Sequence, residues 1–76
     1  MKQLIEEIVK TLVDHPEQVF VQEVAGQQSI VYEIKVDPAD IGKVIGKQGK
    51  TANAIRFLIR AAAAKNGKNA VINIIS

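Results

Sequence analysis

Apolar residues recur at helical spacing early in the chain, at Leu4, Ile5, Ile8, Val9, Leu12 and Val13, with Glu6, Glu7 and Lys10 on the opposite side. One apolar stripe at this period predicts an amphipathic helix with a single packed face. Pro16 disfavours helical geometry at His15, so the helix should stop before it. Val19 to Val24 (V-F-V-Q-E-V) is rich in β-branched residues and predicts a short strand. Ala25-Gly26-Gln27-Gln28 reads as a turn. Alternation follows from Ser29 to Val36, with Ile30, Tyr32, Ile34 and Val36 on one face and Val31, Glu33 and Lys35 on the other. The two runs predict a hairpin.

Asp37-Pro38-Ala39-Asp40 is a helix start: Asp37 can accept a backbone N–H, Pro38 fits the first helical position, and Asp40 suits the positive helix end. A very short helix is expected to run to about Val44, where Gly46-Lys47-Gln48-Gly49 interrupts it. A longer helix then spans Lys50 to Ala64, ended by Asn66-Gly67. Ala70 to Ile75 (A-V-I-N-I-I) closes the chain as a buried strand. The order helix, strand, strand, helix, helix, strand predicts an α+β fold with a three-stranded sheet and three helices packed on one face. No linker, repeat or low-complexity tract divides residues 1–76, so a single domain is expected.

The long helix has Ala52, Ile55, Ile59 and Ala62 as its expected core stripe. Ala54, Phe57, Leu58 and Ala61 cover much of the rest, with Arg56 and Arg60 as the charged relief. A helix apolar on most sides is usually buried against more than one neighbour. Ala54, Phe57, Leu58 and Ala61 are therefore expected at an interface with another subunit. The competing reading packs Phe57 and Leu58 under the sheet or the first helix.

Composition narrows the function. The chain has 76 residues, no cysteine and one histidine. Disulfides, zinc–thiolate sites and cysteine nucleophiles are excluded, and no metal site or cofactor is expected. Nothing approaches the roughly 20 apolar residues that span a membrane, and the acidic start is no signal peptide; a soluble, cytoplasmic protein is expected. Net charge is +2, but it is split: residues 1–40 hold all eight acids and three lysines, whereas residues 41–76 hold seven basic residues and no acid. That asymmetry suggests a polyanion-binding half. A basic but merely solvated helix face is the alternative.

The candidate chemistry concentrates in Ile41-Gly42-Lys43-Val44-Ile45-Gly46-Lys47-Gln48-Gly49-Lys50-Thr51. Two glycines three apart allow a sharp turn between helices and close approach of a ligand to the main chain. The next helix starts at the loop, where its unpaired N–H groups attract anions. Lys47 lies in the loop, Lys43 and Lys50 flank it, and Val44-Ile45 precede it. Such a rim of cations beside an apolar floor suits a nucleic-acid backbone with its bases turned inward.

V-I-G-K-Q-G-K-T-A-N-A-I closely resembles the KH signature, in which Ile-Gly-x-x-Gly joins two helices. The element order is that of the type II KH fold (α-β-β-α-α-β), and the resemblance covers essentially the whole chain. It is similar above all to the bacterial stand-alone KhpA family. One departure is Ala52, where many KH domains carry a larger aliphatic residue. The resemblance implies that Gly46 and Gly49 shape the loop while Lys47 and Gln48 face the sugar–phosphate backbone. Ile45, Ala52 and Ile55 would form the apolar groove and Ile72 its far wall, with Lys43, Lys50, Thr51 and Arg56 alongside. It further implies about four nucleotides of single-stranded RNA per domain, no catalysis and no small-molecule substrate. Pairing is implied with a second copy or with a KhpB/Jag-type protein, in RNA chaperoning and post-transcriptional regulation. Single-stranded DNA is left open, since the 2′-hydroxyl contacts that would exclude it are not legible in sequence. A protein-partnering module with secondary RNA binding is the alternative function.

Other readings fare worse. Gly49-Lys50-Thr51 ends like a P-loop, but Val44 stands where the first glycine belongs and a helix precedes it instead of a strand. His15 at a helix end has no catalytic partner. Capping accounts for the Asp37/Asp40 pair, and alternation with Ile30 and Ile34 puts Tyr32 in the core.

Overall fold

The structure, a computed structural model, describes residues 1–75. Helix α1 runs Lys2–Leu12, strand β1 Phe20–Ala25, strand β2 Ser29–Lys35, helix α2 Ile41–Ile45, helix α3 Lys50–Ala64 and strand β3 Asn69–Ile75. The expected element order is present, in an α+β, KH-like fold. Strand order is β1-β2-β3, with β1 antiparallel and β3 parallel to the central β2.

Boundaries shift where local turns compete for backbone groups. A 3₁₀ turn at Pro16–Gln18 takes the Val19 N–H for Pro16 O, so β1 begins at Phe20 and not at Val19. A second 3₁₀ turn, Pro38–Asp40, fills the start of the expected short helix, and α2 proper begins at Ile41. Asp37 caps this turn, its Oδ1 accepting the Ala39 N–H at 2.8 Å. Helix α3 ends as its sequence asks. Gly67 at φ +70° closes it while Lys68 N–H donates to Ala63 O and Gly67 N–H to Ala64 O, each at 3.0 Å.

The core lies between the sheet and the helices. From the sheet come Val21, Tyr32, Ile34, Ala70 and Ile72; from the helices Ile5, Val9, Val44, Ile55, Ile59 and Ala63. Each large aliphatic among them contributes about 1.5–3 kcal/mol by leaving water. Two stripes differ from expectation. On α1 only Ile5 and Val9 are buried, and Leu4 is 53% exposed. On α3 the last buried residue is Ala63, with Ala62 half-buried, because the helix packs chiefly on β3 and not between two layers.

Candidate nucleic-acid interface

Val44, fully buried, anchors α2 in the core and leaves its neighbours Lys43 and Ile45 outward. One residue after Ile45 the helix is broken. Gly46 adopts φ +77°, ψ 174°, a region essentially open to glycine alone. Its N–H still closes α2 on Gly42 O at 2.9 Å, and its carbonyl accepts Gly49 N–H at 3.1 Å. A Cβ on Gly46 would lie 2.6 Å from Thr51 Cβ and 2.9 Å from Thr51 N, so the loop packs directly on the first turn of α3. Gln48 (φ +58°, ψ 27°) and Gly49 (φ +75°, ψ 10°) then take left-handed conformations in succession. Three reversals in four residues expose Lys47 and Gln48 at the tip. No side chain caps the N-terminus of α3.

The expected site residues separate into three groups. Lys43, Ile45, Lys47, Gln48 and Lys50 are exposed, with Gly46, Gly49, Thr51 and Arg56 half-buried around them. Ala52, Ile55 and Ile72, which the resemblance put at the groove, are 2%, 5% and 4% exposed; for Ala52 and Ile55 this is the burial expected of the core stripe of α3. Ile55 and Ile72 pack in the core cluster, and Ile45, 40% exposed, is the apolar surface beside the loop.

Lys43 is not a free cation. Its ammonium bridges Asp14 and stands 3.7 Å from Asp40 Oδ1. The hydrogen bond and charge of Lys43 hold the Asp14 carboxyl below its ordinary range, and the bond to Asp14 pushes Lys43 up. Asp40, 1% exposed, accepts His15 N–H on Oδ2 at 3.0 Å and so fastens the α1–β1 connection to the base of α2. Asp40 is thus more than the helix-end charge expected from its position. Asp14 and Asp40 were not legible as neighbours of the loop. Asn53 was not singled out either, although its place one helical turn beyond Gly49 was a signal for it; its amide lies 3.8 Å from where a Gly49 Cβ would be.

The four residues expected at an interface are all exposed and, at positions i, i+3, i+4 and i+7, follow one face of α3. Phe57 and Ala61 line an open groove with Asn53, Arg56 and Arg60. Leu58 points to the other flank, into an apolar groove of about 200 Å³ between α1 and α3 with Met1, Leu4 and Ile8. Consecutive helical residues diverge by about 100°, which sets the pair on the two edges of that face. Ala54 lines neither groove. Among the described residues no cluster of three or more His, Cys, Asp or Glu could hold a metal, and no helix is long and apolar enough to cross a membrane.

A three-stranded sheet backed by helices, with a Gly-x-x-Gly reversal between two of them, defines a KH domain. The model of the family described as KhpA/KhpB, KH domain, matches residues 2–74, and the chain belongs to that family. It is similar to RNA-binding protein KhpA of Clostridium acetobutylicum, 60% identical over 99% of this chain and 100% of the relative. The KhpA proteins of Clostridium perfringens and Aquifex aeolicus are 57% and 44% identical over 99% of this chain, and over 100% and 95% of their own lengths. These relatives are named for RNA binding, and the family is not one of enzymes. No solved structure matches the chain significantly.

Proposed function

We propose that this chain is a non-catalytic protein that clamps about four nucleotides of single-stranded RNA on the Gly46–Gly49 loop. The observation that carries this reading is the loop's backbone. Three positive-φ residues turn Lys47 and Gln48 outward above an uncapped helix start, in a chain half that holds seven basic residues and no acid. Phosphates would meet Lys47, Lys50 and the α3 amides, while bases would lie toward Ile45 and Thr51. The parallel β3 and antiparallel β1 flanking β2 support a type II arrangement. The RNA-binding names of the full-length relatives agree. With Tyr32 buried and no tryptophan, contacts to the backbone and base edges outweigh stacking within the loop site itself.

A partner accompanies this function: a second copy, or a KhpB/Jag-type protein, seated on the α3 flank that carries exposed Leu58. Joining two four-nucleotide sites raises effective concentration and hence affinity. The protein-partnering alternative rests on this same flank.

The test is binding of a labelled, randomised single-stranded RNA to the native chain and to the Lys47→Asp, Gln48→Asp variant. Both glycines are kept, and aspartate tolerates the left-handed backbone at position 48. The expected outcome is loss of binding in a variant with a native circular dichroism spectrum. Equal binding would place the RNA elsewhere. Absence of RNA binding by the native chain, with a tight complex seen in sedimentation, would put the partnering reading first.

A further inference from the structure

We infer that the face of α3 formed by Asn53, Phe57 and Arg60 is a second nucleotide subsite, taking bases that flank the segment held on the loop. The inference rests on the loop being the RNA site and extends it along the helix.

Phe57 is 73% exposed, more than any other large apolar side chain among the described residues. It contributes little to the core, so its exposure is a cost without a return inside the domain. It lines an open groove of about 470 Å³ with Asn53, Arg56, Arg60 and Ala61, and no carboxylate lines that groove. Asn53, Arg56, Phe57 and Arg60 stand at positions i, i+3, i+4 and i+7 of one helix and form a continuous strip. The strip begins next to the loop: Asn53 stands one helical turn beyond Gly49, its amide 3.8 Å from where a Gly49 Cβ would be. A strand leaving the loop would therefore meet an amide able to read a base edge, then an aromatic face, then a guanidinium for the next phosphate. Aromatic rings and cations interleaved along a strand's path are what single-stranded nucleic acid requires.

Charge decides between RNA and a second copy of the chain. A two-fold contact is self-complementary, so packing this face on itself would set Arg56 and Arg60 against the same arginines with no acid between them. The Leu58 flank, lined by apolar side chains alone, lacks that penalty. A polyanion gains from both arginines.

The native chain has no tryptophan, so a Phe57→Trp variant places the sole indole in the groove. Randomised tetra- and octanucleotides serve as probes. The octanucleotide is expected to bind the native chain roughly tenfold more tightly than the tetranucleotide, the gain of stacking one or more bases. Phe57→Ala and Arg60→Gln should each collapse that ratio, and the octanucleotide alone should quench the Phe57→Trp emission. Because Phe57 is exposed, its replacement leaves the core intact, which circular dichroism checks. A full length-dependent gain in Phe57→Ala overturns the inference. So does an unquenched indole, or a Phe57→Ala variant that loses a dimer yet keeps the ratio, since a protein partner would then cover the face. If the Lys47→Asp, Gln48→Asp variant still binds the tetranucleotide, the loop reading fails by itself, and indole quenching still reports on α3.

Discussion

The backbone N–H of His15 donates to the carboxylate of Asp40 at 3.0 Å, joining two points 25 residues apart in sequence. The bond fixes the α1–β1 connection to the turn that starts α2, and so holds the platform of the loop. Asp40 is buried, its other oxygen lacks a hydrogen bond, and Lys43 Nζ stands 3.7 Å away. Asp40→Ala should destabilise the domain by about 2 kcal/mol, since it strands an N–H and opens a void. Asp40→Asn keeps an acceptor for His15 and should cost about 1 kcal/mol or less. Urea denaturation checks both; an unchanged midpoint for Asp40→Ala would mean the tie is idle.

The two loop glycines are unequal. Gly46 has both a glycine-only backbone and no room for a methyl group against Thr51. At Gly49 the φ is positive, but the nearest atom to a new Cβ is Asn53 Nδ2 at 3.8 Å. Gly46→Ala should therefore cost about 3 kcal/mol or more, and Gly49→Ala about 1 kcal/mol. In RNA binding the first should abolish the clamp while the second weakens it. Equal losses in stability would show that the Thr51 contact plays no part.

How much of this was legible in the sequence depended on the range of the interaction. Helix α3 and its closure at Gly67 follow from periodicity and a local cap, and both are present. The loop, too, is encoded within four residues. The partners of Asp40 and Lys43 come from a connection 25 and 29 residues upstream, and no local pattern marks such pairs. Ile55 and Ile72 illustrate a different limit. Alternation and helical spacing mark them as inward, but whether inward means groove or core depends on how closely α3 lies on β3. Both are buried, Ile55 as the core stripe of the helix already expected. Phe57 and Leu58 share one face by their spacing; only the neighbours of α3 show that its two edges border different grooves.

The Asp14–Lys43 bridge makes a prediction in pH. Hydrogen bonding and attraction to Lys43 depress the Asp14 pKa, while the bond to Asp14 raises that of Lys43. A depressed carboxyl stabilises the fold above its unfolded pKa, and that contribution is lost as pH falls through its folded value. A raised ammonium does so below its unfolded pKa, with loss as pH rises through the folded one. The bridge is therefore intact across neutral pH and opens only at the acid and alkaline ends. Carboxyl-carbon NMR should find Asp14 titrating on the acid side of ordinary aspartate, and Lys43→Gln should return it to the normal range. Normal titration in the native chain would mean the bridge is not held in solution.

Salt dependence tests which cations grip the RNA. Among the described residues Lys47, Lys50 and Arg56 form no salt bridge, whereas Lys43 is occupied by Asp14. Neutralising about three phosphates should give a log–log salt slope near −2 for single strands. Lys47→Gln should flatten it by about 0.7, the share of one phosphate. Asp14→Asn leaves Lys43 with only the longer contact to Asp40 and makes it available to the backbone, so the slope should steepen by up to about the same amount. Removing any acid also shifts the domain's field, so Glu17→Gln, an exposed acid on the same connection, is the control. If Glu17→Gln steepens the slope as much as Asp14→Asn, the effect is one of net charge and Lys43 stays outside the site. If Asp14→Asn alone does so, and Lys43→Gln in that background reverses it, Asp14 occupies in the free protein the place that a phosphate takes in the complex.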